Sequence, residues 1–168
     1  LYYAPDTPAP RSHDTGTPVQ AGTTGELRDD RTHLLCVQGP LALNFRRRKL
    51  GLLPRIENSD LTGHNPPTLL RLGVWLAQAI HVTGRPDTLF IKLHTHGALD
   101  TNASMLLDGE YARFLNALSQ ASAQRRWGLW FASARELVNI LHGIEDGLPN
   151  PPGELRNYAV QLPPLLER

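Results

Sequence analysis

The chain has 168 residues, 40% of them apolar and 20% charged, with a formal net charge of +1, a balance that fits one globular domain and excludes a strong global attraction to nucleic acid or membrane. Its one cysteine, Cys36, excludes an internal disulfide and a multi-cysteine zinc site, and the apolar run around it predicts a buried, inert thiol. No stretch approaches the ~20 apolar residues of a membrane helix, and no secretory apolar region opens the chain.

The first residue is Leu1 and the only methionine is Met105, which leads to the expectation of a trimmed or partial sequence. Residues 1–32 are rich in Pro, Thr, Gly and Asp without sustained periodicity, and read as an extended arm with turns near Gly16, Gly22 and Gly25. Tyr2 and Tyr3 mark the end of the arm that packs. His33 to Gly39 (HLLCVQG) is short, apolar and glycine-bounded, as a strand buried on both faces is. Residues 40–64 obey neither period and read as loop, with a short helix or turn near Leu41 to Arg48.

Asn65-Pro66-Pro67 opens a helix whose stripe is Leu69, Leu72, Leu76 and Ile80, ending before Gly84. Asp87 to His96 reads as the second strand, stopped by Gly97. A helical region follows from about Asn102 to Gln124, broken near Asp108-Gly109. Trp127 to Ala132 (WGLWFA) reads as the third strand and leads into a helix to Gly147, opened by the capping-box pair Ser133 and Glu136. The domain plan is then an arm (1–32), an α/β core (33–147) and a proline-rich tail (148–168), with one more short strand at Asn157 to Leu162. Alternation of strand and helix predicts an α/β fold with parallel strands, flanking helices and its site at the carboxyl ends of the strands.

His94 and His96 fall at that predicted edge. Residues two apart in a strand share a face, so the two imidazoles can hold a metal together, or one can act as a general acid. Against this stands a strand end capped by one histidine with the other in solvent. Glu57, Asp60 and His64 lie in the long loop, where a carboxylate can orient a histidine or bind substrate; a turn-capping Asp60 and a solvated Glu57 are the plain alternative. Arg135, just inside the last helix, suits a substrate anion or a pairing with Glu136 or Asp146. His13 and Asp14 in the arm are a weak metal pair, since a turn explains them as well. The basic run Arg46 to Lys49 has no aromatic platform or reading module beside it, so no nucleic-acid partner is expected. Dinucleotide, P-loop, α/β-hydrolase and zincin signatures are absent.

Four segments in order carry a resemblance: RSHDTG, QGPLALNFRRRKLGLLPRIENSDL with NPPT, FIKLHTHGA, and FASARELVNI with the later RNY. They resemble the C-terminal half of bacterial polysaccharide-deacetylase-like proteins of the glycoside hydrolase/deacetylase β/α-barrel superfamily, which are associated with exopolysaccharide biosynthesis. The resemblance implies a partial or deformed (β/α) barrel and metal-dependent hydrolysis of N-acetyl groups on a sugar polymer. The divalent metal, zinc by this resemblance, activates water, and His94 or His96 protonates the leaving amine. Glu57, Asp60 and Arg135 become its substrate-binding or positioning residues. The family's paired aspartates and HxxxH do not occur here, so the metal would be held largely by residues outside this chain. A bacterial protein of cytoplasm or periplasm, with no membrane span and with open sheet edges that favour self-association, completes the expectation. The rival class is a non-catalytic carbohydrate-binding or assembly module with a degenerate barrel, reading sugars through Tyr2, Tyr3 or Trp130.

Overall fold

The computed structural model describes residues 1–8, 14–23, 25–29, 32–49, 51–97 and 99–160, without the side chains of Arg47 and Lys49. The residues group into two compact units, each assembled from separate stretches of chain: 1–37, 81–88 and 130–168 in one, and 38–80 and 89–129 in the other.

In the first unit the arm is structural. Strand β1 (Tyr2–Pro5) lies between β2 (Thr17–Pro18) and, beyond a four-residue helix α1 (Glu26–Asp29), β3 (His33–Cys36), pairing antiparallel with both. Tyr2, Tyr3 and Ala4 are buried with Val19, Val82 and Leu155. The unit's long helix is α5 (Ala134–Glu145), which buries Ile140, Leu141 and Ile144. The capping box forms as expected, with Ser133 Oγ accepting from the Glu136 amide and the Glu136 carboxylate accepting from Ser133 N–H. Fully buried Asn139 uses both ends of its amide on the chain after α5. Its Nδ2 donates to the carbonyls of Arg156 and Val160, and its Oδ1 accepts from the amides of Ala159 and Val160. Cys36 is half-buried.

The second unit opens with a hairpin, β4 (Ala42–Lys49) and β5 (Leu53–Glu57), where the sequence suggested loop and helix. Gly51, at φ +73°, makes the turn. Helix α2 (Leu69–Leu76) starts later than expected, because Thr68 rather than Asn65 caps it, accepting from the Arg71 amide. It ends before the Gly84 stop, since Ala79 turns to φ +47°. Helices α3 (Asp100–Leu107) and α4 (Glu110–Arg125) break at Asp108-Gly109 as anticipated. Their core is Leu61, Leu72, Trp75, Met105, Phe114 and Leu118, with Trp75 edge-on to Phe114 at 6.2 Å between ring centroids.

The parallel (β/α) barrel is therefore corrected: among the described residues there are two sheets, of three and two strands, and both are antiparallel. Strand propensity does not supply a neighbour. His33–Cys36 finds its partner in the arm, and β4 finds one across a tight turn. The stretches 87–96 and 127–132 do not form strands, and the first of them pairs only at an isolated bridge between Asp60 and His94.

A buried ion pair organises the second unit. The Arg71 guanidinium, fully buried, donates from Nε to Glu57 Oε2 at 2.9 Å and from Nη2 to Oε1 at 2.7 Å. It also donates to the carbonyls of Asp60, Asn65 and Pro66 and lies 5.0 Å from the Trp75 ring centroid. Glu57 Oε1 further accepts from the Trp75 indole and the Ser59 amide. Burial by itself pushes the Glu57 carboxyl up, but the bonds from Arg71 and Trp75 and the Arg71 charge outweigh it and hold it below the usual range. Such pairs can often be replaced by hydrophobes at little cost, but here the guanidinium also satisfies three backbone carbonyls.

Arg71→Ala is expected to destabilise the protein by about 3–5 kcal/mol in urea denaturation, since it leaves the buried Glu57 carboxylate without its counter-charge, with only the Trp75 indole and the Ser59 amide still donating to it. A paired Glu57→Leu/Arg71→Met variant is expected to remain destabilised, because the carbonyls of Asp60, Asn65 and Pro66 each lose the donor that Arg71 supplies. With its folded pKa depressed, Glu57 contributes stability above its ordinary value of 4.5, and that contribution is lost as pH falls through the lower folded value.

His142 on α5 sets a second pH limb. Its Nδ1 is buried with no hydrogen-bond partner among the described residues. Burial first, and then the Arg28 charge, holds its pKa below 6.5 against the pull of Asp146 and Asp29. The fold thus favours neutral imidazole, and stability present above 6.5 is lost as pH falls. His142→Gln is expected to flatten the fall in melting temperature between about pH 7 and about pH 5; an unchanged slope would contradict this assignment.

Candidate active site

The second unit brings together two of the residues singled out from sequence. After β5 the chain passes Ser59, at φ +63°, and runs beside the extended segment that carries His94. Leu61 N–H donates to the His94 carbonyl at 2.8 Å, and His94 N–H reaches the Ser59 carbonyl at 3.4 Å, forming the parallel Asp60–His94 bridge. The two side chains then face each other, with His94 Nε2 3.8 Å from Asp60 Oδ1. At that distance the two groups are neighbours without a hydrogen bond between them. Asp60 Oδ1 is buried and has no hydrogen-bond partner among the described residues, while the His94 side chain is 44% exposed. A buried carboxylate oxygen thus faces an imidazole that solvent or a ligand can reach.

The backbone under Asp60 is pinned. Its carbonyl accepts from Arg71 Nη2 and Asn65 Nδ2, and its amide donates to Asn58 Oδ1. Glu57 thereby acts through Arg71 as a positioning residue. Its own carboxylate is 3% exposed and fully engaged, which corrects the expectation that it meets substrate.

Asn102, which sequence reasoning passed over, does comparable work on the other side. It is buried in the first turn of α3, where its Oδ1 accepts from Gly63 N–H and its Nδ2 donates to the His96 carbonyl, both at 3.0 Å. The only sequence sign of it is an amide residue near the start of a helix, five positions after HTHG. Gly63 sits against this helix, and a Cβ built there would overlap the Thr101 carbonyl oxygen.

The remaining candidates fall elsewhere. His96 is exposed, and no ion pair engages its ring among the described residues. The strand that would have aligned it with His94 does not form. His64 lies in the Thr62–Asn65 turn. Arg135 belongs to the first unit, where its Nη1 donates to the carbonyls of Arg156 and Val160 and to Asn157 Oδ1. It braces the chain after α5 rather than pairing with Glu136 or Asp146. Asp14 is in the turn before β2, and His13 lies outside the described residues. Tyr2 and Tyr3 are buried, which leaves Trp130 alone of the three aromatics proposed to read sugars.

The donor set was tested against the expected zinc. Among the described residues no group of three or more His, Cys, Asp or Glu could hold a metal ion. His94 and Asp60 offer two ligands where a protein zinc site uses three or four. The described side chains do not by themselves make up such a site.

Gly63→Ala is expected to cost about 1–3 kcal/mol by forcing the turn off Thr101, and to shift the His94 imidazole resonances in NMR as Asp60 moves. Gly73→Ala on the exposed side of α2, where an added methyl meets open space, is expected to stabilise by about 0.5–1 kcal/mol.

No protein-family model, no curated protein and no solved structure matches this chain.

Proposed function

We propose that the chain is the C-terminal part of a polysaccharide-deacetylase-like hydrolase acting on N-acetylated sugars, with His94 as its general acid and Asp60 as the residue that orients it. The observation supporting this is the buried, unbonded Asp60 Oδ1 facing the Nε2 of a solvent-accessible His94. Breaking an N-acetyl amide requires a proton on nitrogen as the C–N bond opens, otherwise the amine leaves as an unstable anion. Asp60 faces Nε2, so Nδ1 is the ring nitrogen turned to exchange a proton with the substrate. Water adds to the carbonyl carbon and releases one proton to solvent, the C–N electron pair goes to nitrogen, and His94 supplies the proton that completes the free amine and then regains one from solvent. Acetate is the other product. The basis for naming a sugar amide is the resemblance carried by FIKLHTHGA, RIENSDL and FASARELVNI.

The test is acetate release from N-acetylated oligosaccharides by the full translated protein. His94→Ala is expected to lower kcat by about 10²–10⁴-fold. Asp60→Asn is expected to have a smaller effect on kcat and to shift the pH profile, and His96→Ala to leave kcat within about threefold of the parent. An active parent whose His94→Ala variant keeps full kcat refutes the assignment.

A further inference from the structure

The β4–β5 hairpin exposes apolar side chains on one face and at its tip. Its inner face is occupied: Asn44 and Glu57 are buried. On the outer face Leu43 sits directly across from Ile56, and Ile56 is 65% exposed. The register slips between Asn44 and Arg48, so Phe45 is carried on a bulge and is 64% exposed. Past the turn at Gly51, Leu52 is 80% exposed and Leu53 nearly as open. Single exposed leucines are ordinary, but five exposed apolar side chains on one short hairpin, Leu43, Phe45, Leu52, Leu53 and Ile56, mark a contact surface.

The charge on the same hairpin is one-sided. Residues 42–56 hold five of the chain's 17 Lys and Arg residues and none of its 16 Asp and Glu, leaving 12 basic against 16 acidic residues elsewhere. A net charge of +1 for the whole chain hides a local +5.

We propose that this hairpin docks on an anionic lipid surface, with Phe45, Leu52 and Leu53 entering the interface and the exposed Arg46 and Arg48 meeting headgroups. Both properties are needed to choose the partner. A second copy of the hairpin would bring five cations against five. An acidic polysaccharide or a nucleic acid would meet the cations but leave leucine, isoleucine and phenylalanine in water, and the hairpin has no Trp or Tyr to stack on a sugar. An anionic bilayer interface matches apolar and basic side chains at once. The contact is peripheral, since among the described residues no helix is long and apolar enough to cross a membrane. The inference is independent of the hydrolase reading.

The test is co-sedimentation of the full chain with phosphatidylcholine vesicles, with and without phosphatidylglycerol. Binding is expected only with the anionic lipid, and is expected to weaken as salt shortens the screening length to a few ångströms, ~3 Å at 1 M. Arg46→Ser/Arg48→Ser is expected to weaken it roughly 20- to 30-fold, about fivefold per cation. Phe45→Ser/Leu52→Ser is expected to weaken it at least tenfold, by roughly the burial of two apolar side chains. Both pairs are exposed, so circular dichroism and melting temperature should match the parent. Four results overturn the proposal: no binding at any phosphatidylglycerol content, equal binding to neutral vesicles, undiminished binding by folded variants of both kinds, or vesicle-independent dimerisation that Phe45→Ser/Leu52→Ser abolishes.

Discussion

A guanidinium removed from water must have its donors satisfied by protein, and Arg71 meets that demand in a way that dictates much of the second unit. Two bonds go to the Glu57 carboxylate at the end of β5, and three go to carbonyls of Asp60, Asn65 and Pro66 on the way to α2. One helix residue thus fixes the path of the chain between a strand and the helix itself. The Trp75 ring, one turn further along α2, lies beside the guanidinium and sends its indole N–H to the same carboxylate. The polar network and the apolar core consequently share a wall, and loosening either disturbs both.

The Asp60–His94 contact inherits its order from this arrangement. Asp60 is held by its backbone, so its side chain needs no bond of its own to stay in place. That explains how a buried carboxylate oxygen can remain unbonded next to a histidine that solvent reaches. Asn102 gives similar support, tying the turn at Gly63 to the carbonyl of His96. Neither Arg71 nor Asn102 need touch a substrate to matter for the geometry; they are the frame in which a short-range acid–base contact keeps its spacing.

Features written in consecutive residues were the ones sequence could disclose. Ser133 and Glu136 declare their capping box at a fixed spacing, and Asp108-Gly109 interrupts a helix because Gly109 adopts φ +87°. Strand partners are another matter. The stretches 87–96 and 127–132 have apolar runs fit for a buried sheet, yet propensity says nothing about what lies alongside. The hairpin escaped notice because its outer face is apolar as well, so the alternation that betrays a half-buried strand is blurred at Leu41, Leu43 and Phe45. Arg71 was hidden for a similar reason. An arginine in an amphipathic helix normally faces solvent, and Glu57 stands 14 positions away with nothing local to link them. Of the candidate site, His94 and Asp60 were legible by residue type. Their proximity was not, because a long-range bridge sets it.

The assembly of the first unit from distant pieces bears on how the chain matures during synthesis. Tyr3 donates its hydroxyl to Glu145, 142 positions later, and Asn139 is clamped to the stretch reaching Val160. The second unit has all its segments once Leu129 has left the ribosome, whereas the Tyr3 hydroxyl must wait for Glu145, although β2 and β3, the strands that pair with β1, are made early. Vectorial translation therefore presents every segment of the second unit before α5 and the chain after it complete the first.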